Sequence, residues 1–189
     1  AWQTQLQQYA QEHNINEAGQ TFFSTYYEDV DSEDLSRLPF SDLVAAARSH
    51  QRTAAMPRLP GHSHVEILQQ NANAEFAADE TVINIVFDDL PFLIDSLIML
   101  LNRPPQQSGE AKVDMQLLVH PIFTIKRNAQ GELQSWSRSR STDNGRESWV
   151  QIRLNKLTDA HATQLKDEIT NMLATLYKVV SDEGLMRRA

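Results

Sequence analysis

The stretch TVINIVFDDLPFLIDSLIMLLNR, residues 81–103, is the most apolar run of an otherwise polar sequence, and it decides the fold. Its first part is rich in β-branched residues and leaves only Asn84 as an interior polar position, which is typical of a strand covered on at least one face. Asp88 and Asp89 end this strand. Pro91 suits the first turn of a helix, where its missing N–H would have no partner, and Asp89 is placed to cap that helix. The stretch therefore predicts a buried strand, a tight turn and a helix that begins at about Pro91.

This helix is too apolar for a surface helix with one solvent face. Its polar side is narrow and consists of Asp95, Ser96 and Asn102. We therefore expect the helix to pack on the sheet and to be covered again by another element or by a partner chain. Its apolar core, residues 92–101, is shorter than the ~18 residues that a membrane span requires, so we predict no membrane segment.

Bulk composition excludes several classes of function. The chain has 189 residues, a net charge of −8 and no cysteine. The acidic balance argues against nucleic-acid partners, because phosphate binding depends on clustered lysine and arginine. Without cysteine there is no disulfide framework and no thiolate site, which fits a cytoplasmic location. No secretory signal is evident, and the chain is expected to be a piece of a longer protein.

The order of predicted elements divides the chain into three parts. Residues 1–56 form an N-terminal helical segment, residues 57–64 a linker rich in proline and glycine, and residues 65–189 an α+β domain. Strands at 65–69, 81–87, 115–126, 133–139 and 147–154 alternate with the buried helix and with a long amphipathic helix at 159–182. Pro121 must fall at a bulge or an edge of its strand, because it cannot donate to the ladder. We predict a ferredoxin-like antiparallel sheet with two main helices on one face.

No motif of a reaction centre is present. The sequence has no glycine-rich dinucleotide or phosphate loop, no nucleophile elbow and no zinc-protease motif. His62 and His64 could share one face of an extended chain, but no third ligand is near, so no metal site is predicted. Adjacent carboxylates such as Asp88 and Asp89 point in different directions at a strand end and do not suit an acid–base pair. We predict no catalytic, cofactor-binding or metal-binding residue in this chain.

Four stretches, in this order, resemble the N-terminal region of the large bacterial NAD-specific glutamate dehydrogenases. They are YYEDVDSEDLSRLPFSDLVAAARSH (26–50), DDLPFLIDSL (88–97), LVHPIFTIKRNAQGEL (118–133) and ESWVQIRLNKLTD (147–159). The resemblance implies a long polypeptide whose NAD-binding catalytic region lies far downstream. It also implies an N-terminal half built of regulatory ACT-type modules that contact one another and form a homo-oligomer.

ACT domains carry a D-x-P-G-x-L motif between their first strand and first helix, and the segment DLPFLI at 89–94 resembles it. Phe92 stands where the motif has glycine, and a phenylalanine there fills the space into which a ligand would come. The site is therefore open to two interpretations, an amino-acid effector site or a purely structural, oligomer-forming interface. Its candidate residues are Asp88, Asp89, Leu90, Pro91, Phe92, Ile94 and Asp95. No clear final strand follows the last helix, so either the strand at 65–69 takes that sheet edge or the strand lies further along the chain.

Overall fold

The computed structural model describes residues 2–69, 79–105, 110–138 and 145–188, and side chains of the last helix up to residue 184. A run of helices comes first and a mixed α+β region follows. The helices are α1 (Trp2–Glu12), α2 (Glu17–Tyr26), α3 (Ser32–Ser36), α4 (Phe40–Ala55), α5 (Leu93–Asn102) and α6 (Asp159–Arg188). The strands are β1 (His64–Gln69), β2 (Glu80–Asp88), β3 (Met115–Val119), β4 (Ile122–Arg127), β5 (Leu133–Ser137) and β6 (Gly145–Asn155). Among these ranges, no helix combines the length and the apolar character that crossing a bilayer requires.

The strands form one antiparallel sheet in the order β1-β2-β6-β4-β5, and β3 also pairs with β6. β2 lies between β1 and β6, so that Ile85 has Val65 opposite it on one side and Val150 on the other. β3 and β4 lie end to end along β6 because His120 and Pro121 interrupt them, as the proline predicted. β1 takes the edge beside β2 that the sequence left open.

β2 is covered on both faces, because every one of its interior positions is buried. Ile83, Ile85 and Phe87 belong to a core that the strand shares with α5 and α6. Val82 and Val86, one position out of phase, pack on the opposite face with the N-terminal helices. The sheet thus lies between two helical layers, and the predicted ferredoxin-like α+β class, with α5 and α6 on one face, is confirmed.

The N-terminal helical segment forms the second of these layers. Phe22 of α2 packs against Phe123 and Trp149 of the sheet, with ring centroids 6.4 and 6.2 Å away. Tyr26 and Tyr27 continue this aromatic core and are almost fully buried. The sequence did not decide whether this segment is a separate domain or a layer on the sheet, and the structure has it as a layer. The division of the chain at 57–64 stays a prediction.

A buried polar ladder fixes how α4 lies on the sheet. The Asn84 side chain donates to Ser49 Oγ (2.9 Å) and accepts from Gln151 Nε2 (2.8 Å), and Gln151 also donates to the Ala46 carbonyl oxygen (2.9 Å). Asn84 is the one interior polar residue that the sequence showed in β2. Because an unpaired buried amide costs ~1–3 kcal/mol, the ladder penalises any other register of α4 on β2 and β6.

His50 adds a second anchor between α4 and β2. Its Nε2 donates to the Ile85 carbonyl oxygen (2.8 Å), so Nδ1 accepts from the Tyr26 hydroxyl (2.7 Å) and the ring is neutral. Burial lowers the pKa of His50 to about 4, and the hydrogen bond to Ile85 only partly offsets this effect.

Two details of the prediction were wrong. α5 begins at Leu93 and not at about Pro91, because Phe92 adopts a left-handed conformation with φ 67° that interrupts the first turn. Asp89 therefore does not cap this helix, and its carboxylate is used elsewhere. The last helix was predicted to end at residue 182, but α6 continues through Gly184 to Arg188.

The neutral His50 makes the fold sensitive to acid. The unfolded chain takes up a proton near pH 6.5 and the folded chain only near pH 4, so the free energy of unfolding falls by about 3 kcal/mol as the pH drops through this window. We expect His50→Gln to be less stable at pH 7.5 but to lose less stability between pH 7 and 4. Urea unfolding at several pH values measures both quantities.

The exposed His62 supplies the matched control. His62→Gln should keep the steep pH dependence of the unaltered chain. If His50→Gln loses as much stability on acidification as the His62→Gln control does, His50 is not the group that confers the acid sensitivity.

Candidate functional site

The predicted effector or interface residues lie in the turn between β2 and α5 and in the first turn of α5. The structure brings them together as one continuous segment but gives them different surroundings. Asp88, Asp89, Leu90 and Ile94 are half-buried, whereas Pro91, Phe92 and Asp95 are exposed. Leu90 and Ile94 pack at the margin of the core under α5.

Both carboxylates of the turn are held by arginines and backbone groups of this chain. Asp88 Oδ1 accepts from Arg58 Nη1 and from the backbone N–H of Gly61 (3.1 Å). Asp89 ion-pairs with Arg146 (3.3 Å) and accepts from the Ser148 hydroxyl (3.0 Å). These contacts fasten the turn to the linker and to the start of β6, so the two carboxylates are already occupied.

Phe92 lies at the surface of the chain, where it is 65% exposed. Its φ of 67° is the conformation that glycine adopts easily and that costs other residues about 1–2 kcal/mol. The turn therefore has the backbone conformation that glycine favours at position 92, although the residue there is a phenylalanine. The sequence interpretation placed this ring inside the site, and the structure places it mostly in solvent.

Three residues of α5, namely Asp95, Met99 and Asn102, are exposed at helical spacing, and Phe92 is exposed immediately before the helix begins. Met99 is 75% exposed. We call this row the α5 outer stripe. It combines two large apolar side chains with two short polar ones, and it faces away from the sheet and from α6, which pack on the opposite side of α5.

A buried cluster of charges lies beside the turn, at the end of the sheet. Glu147 of β6 accepts two hydrogen bonds from Arg127 (2.7 and 3.1 Å) and one from Arg58 (3.0 Å). Arg58 also holds Asp88, so the cluster runs Asp88–Arg58–Glu147–Arg127. The side chains of Arg58 and Glu147 are only 5% and 4% exposed. We call these four residues the sheet-end cluster.

The sheet-end cluster joins four parts of the chain. Arg127 donates to the carbonyl oxygens of Ala54 (2.7 Å) and Met56 (3.1 Å), and so it satisfies acceptors at the C-terminal end of α4. The backbone N–H of Arg58 donates to the Gly131 carbonyl oxygen (2.9 Å) in the β4–β5 turn. A side chain at Gly131 would meet the Arg58 backbone at 2.6 Å, and its φ is 84°, so only glycine fits this contact.

The electrostatics of the cluster favour the ionised carboxylate. Burial alone would raise the pKa of Glu147, but the hydrogen bonds and charges of Arg127 and Arg58 outweigh it and hold this pKa below its usual value. Glu147 therefore contributes stability at neutral pH that is lost as the pH falls below about 4.5, the usual pKa of such a group.

A cavity of about 230 Å³ lies over the cluster, with Leu59, Pro60 and Ile125 among its walls. Arg58 and Arg127 in its wall bond to carboxylates and carbonyl groups of this chain, and Arg58 Nε has no partner among the described residues. In the described ranges, no three His, Asp or Glu side chains come together as metal ligands. His64 Nε2 bonds to the Pro57 carbonyl oxygen (2.9 Å).

Sequence reasoning missed Arg58, Arg127 and Glu147. A signal was present, because Arg127 ends the apolar strand IFTIK and Glu147 precedes the apolar strand SWVQI. A charged residue beside a buried strand needs a partner, and charges of opposite sign at neighbouring strand ends are candidates for one. Which strands are neighbours could not be read from the sequence.

Removing the shared carboxylate should destabilise the fold. Glu147→Gln leaves the buried Arg127 without its anion and Arg58 with Asp88 alone, and we expect the free energy of unfolding at pH 7.5 to fall by about 3 kcal/mol. Urea unfolding followed by circular dichroism measures it.

Glu33→Gln is the matched control, because Glu33 is 79% exposed and pairs with Arg37 at the surface. Such a pair contributes less than ~1 kcal/mol. Equal effects of the two substitutions would contradict the structural role of the sheet-end cluster.

Comparison with known proteins assigns the family. A family model described as "Glutamate dehydrogenase, ACT1 domain" matches residues 22–169, which include the second half of α2, α3 to α5, all described strands and about the first third of α6. No solved structure matches the chain. The matched region begins inside the helical layer and crosses the linker, so the family unit includes both helical layers and the sheet. The chain therefore belongs to the glutamate dehydrogenase family, as a domain of the ACT1 type.

Proposed function

We propose that this chain is a non-catalytic regulatory and assembly module of an NAD-dependent glutamate dehydrogenase. The parent enzyme would interconvert L-glutamate and NAD with 2-oxoglutarate, ammonia and NADH in a catalytic region elsewhere in its polypeptide. The family match and the missing cofactor motifs support this proposal. The chain itself binds no NAD and carries no catalytic residue.

The assembly surface is the α5 outer stripe. The observation behind this surface is the exposure of Phe92, just before α5, and of Met99 on it, 65% and 75%, while the helix buries Leu93, Leu97 and Leu101 in the core. Large apolar side chains that share one exposed helix face are typical of interaction sites. The partner is a second copy of this chain, whose own α5 outer stripe offers the same two apolar side chains.

The state of Asp88 and Asp89 favours assembly over an effector site at this turn. An amino acid would need a free carboxylate for its ammonium group, and both carboxylates are held by Arg58 and Arg146. An amino-acid effector bound at Asp88–Asp95 is thus the second candidate function. It would displace at least one of these ion pairs.

Replacing the apolar side chains of the stripe should abolish association without unfolding the chain. We expect Phe92→Asn combined with Met99→Gln to be monomeric where the unaltered chain self-associates. Asparagine tolerates the left-handed conformation and glutamine is a good helix former, so the stability of the variant should stay within ~1 kcal/mol. Sedimentation velocity over a wide concentration range measures association, and urea unfolding measures stability.

Leu59→Gln is the control, since Leu59 is an exposed apolar residue outside the stripe. It should leave association unchanged. A chain that stays monomeric at all concentrations, or a stripe variant that still associates, would contradict the assembly role.

The isolated chain should neither bind NAD nor reduce it. We expect no heat of binding in calorimetric titrations with NAD, and no change of absorbance at the NADH band when glutamate and NAD are added. Reduction of NAD by the chain would refute the non-catalytic assignment.

A further inference from the structure

All sulfur atoms of this chain belong to thioethers, because the sequence has five methionines and no cysteine. Met56, Met115 and Met172 are each partly buried. Met99 is 75% exposed, and Met186 lies outside the described side chains. A thioether is oxidised to a sulfoxide where an oxidant can reach its sulfur atom. Among the methionines whose side chains the structure describes, Met99 is therefore the most accessible to an oxidant.

The other described methionines have neighbours that shield them. Met115 of β3 and Met172 of α6 pack against the core that α5 and α6 share with the sheet. Met56 lies at the C-terminal end of α4, where its carbonyl oxygen accepts from Arg127. Met99 belongs to neither environment, since it lies on the face of α5 that points away from this core.

Oxidation of Met99 would change the character of the α5 outer stripe. Met99 and Phe92 are the two large apolar side chains of this stripe. A sulfoxide replaces one of them with a polar group, whose oxygen loses its hydrogen bonds to water when a contact covers it. Asp95, one turn before Met99, is an acceptor when ionised and cannot donate to that oxygen. The oxidised stripe should therefore resist burial, whereas the fold is retained because Met99 is not part of the core.

We infer that Met99 is a reversible oxidation site that controls the self-association of this chain. A hydroperoxide, of which hydrogen peroxide is the simplest, transfers one oxygen atom to the thioether sulfur. The sulfur loses two electrons and forms the S=O bond, the O–O bond of the peroxide breaks, and water leaves. The step takes place in the dissociated chain, where Met99 is exposed, and the sulfoxide then keeps the chain dissociated.

The reverse step needs a thiol-dependent methionine sulfoxide reductase. The sulfoxide oxygen leaves as water while two thiols are oxidised to a disulfide, and the thioether is restored. The inference rests on the proposed assembly role of the α5 outer stripe and adds its regulation by oxidants.

Limited treatment with hydrogen peroxide, followed by peptide mass spectrometry, tests the site itself. In dilute, dissociated chain we expect the sulfoxide to accumulate at Met99 several times faster than at Met56, Met115 or Met172. Sedimentation velocity then measures association of the chain oxidised at Met99. We expect its dissociation constant to rise about tenfold or more, and to return after treatment with the two reductases that act on the two sulfoxide epimers.

Two substitutions separate Met99 from the other methionines. Met99→Leu keeps an apolar side chain of similar size without sulfur, so it should associate as the unaltered chain does and continue to do so after peroxide treatment. Met99→Gln places a polar group at the same position and should associate as weakly as the oxidised chain. Circular dichroism before and after treatment shows whether each chain stays folded.

Three results would overturn the inference and leave the assembly role intact. The first is oxidation of Met99 no faster than that of the partly buried methionines. The second is unchanged association of a chain that is fully oxidised at Met99. The third is loss of association in Met99→Leu on peroxide treatment, which would assign the effect to another methionine. Absence of self-association in the untreated chain is a different result, because it contradicts the proposed function and the control of association with it.

Discussion

The two arginines that share Glu147 are the contact on which the rest of this structure depends. Arg127 reaches the end of α4, and Arg58 reaches the end of β2, so a single buried carboxylate joins the helical layer, the linker and the sheet. Removing one partner from a buried ion group costs far more than a surface pair contributes. The cluster also fixes where the β2–α5 turn begins, because Asp88, the last residue of β2, is held by Arg58.

The cluster also determines what the turn can offer to other molecules. Asp88 and Asp89 are both paired with arginines of this chain, so neither carboxylate is unpaired. What the turn presents to other molecules is its backbone and its apolar side chains. Phe92 is held in a conformation that suits glycine while its ring stands in solvent. Strain of this kind at an exposed apolar residue is typical of a functional surface, since packing inside the chain does not explain it. The proposal that the α5 outer stripe is an assembly surface rests on this combination.

Much of the fold could be predicted from residues 81–103 and from the periodicity of the later strands. The apolar run gave β2 and α5, Pro121 gave the break between β3 and β4, and Asn84 was recognised as the one polar position inside β2. The start of α5 was misplaced, because the left-handed conformation of Phe92 is set by the turn and not by the intrinsic preference of phenylalanine. The sheet-end cluster was missed because its members come from segments that are distant in the sequence, and strand order is a tertiary property.

The proposed assembly role requires two copies of the chain to meet through the α5 outer stripe. Because the chain has no cysteine, Asn102→Cys at the end of the stripe supplies a unique site for a spin label and leaves Phe92 and Met99 in place, and Asp167→Cys on α6 supplies a control. The distance between labels of two associated chains can be measured by pulsed electron spin resonance. We expect a short, narrow distance distribution for labels at position 102 and a longer one at position 167. Association with the labels at position 102 far apart would rule out this contact.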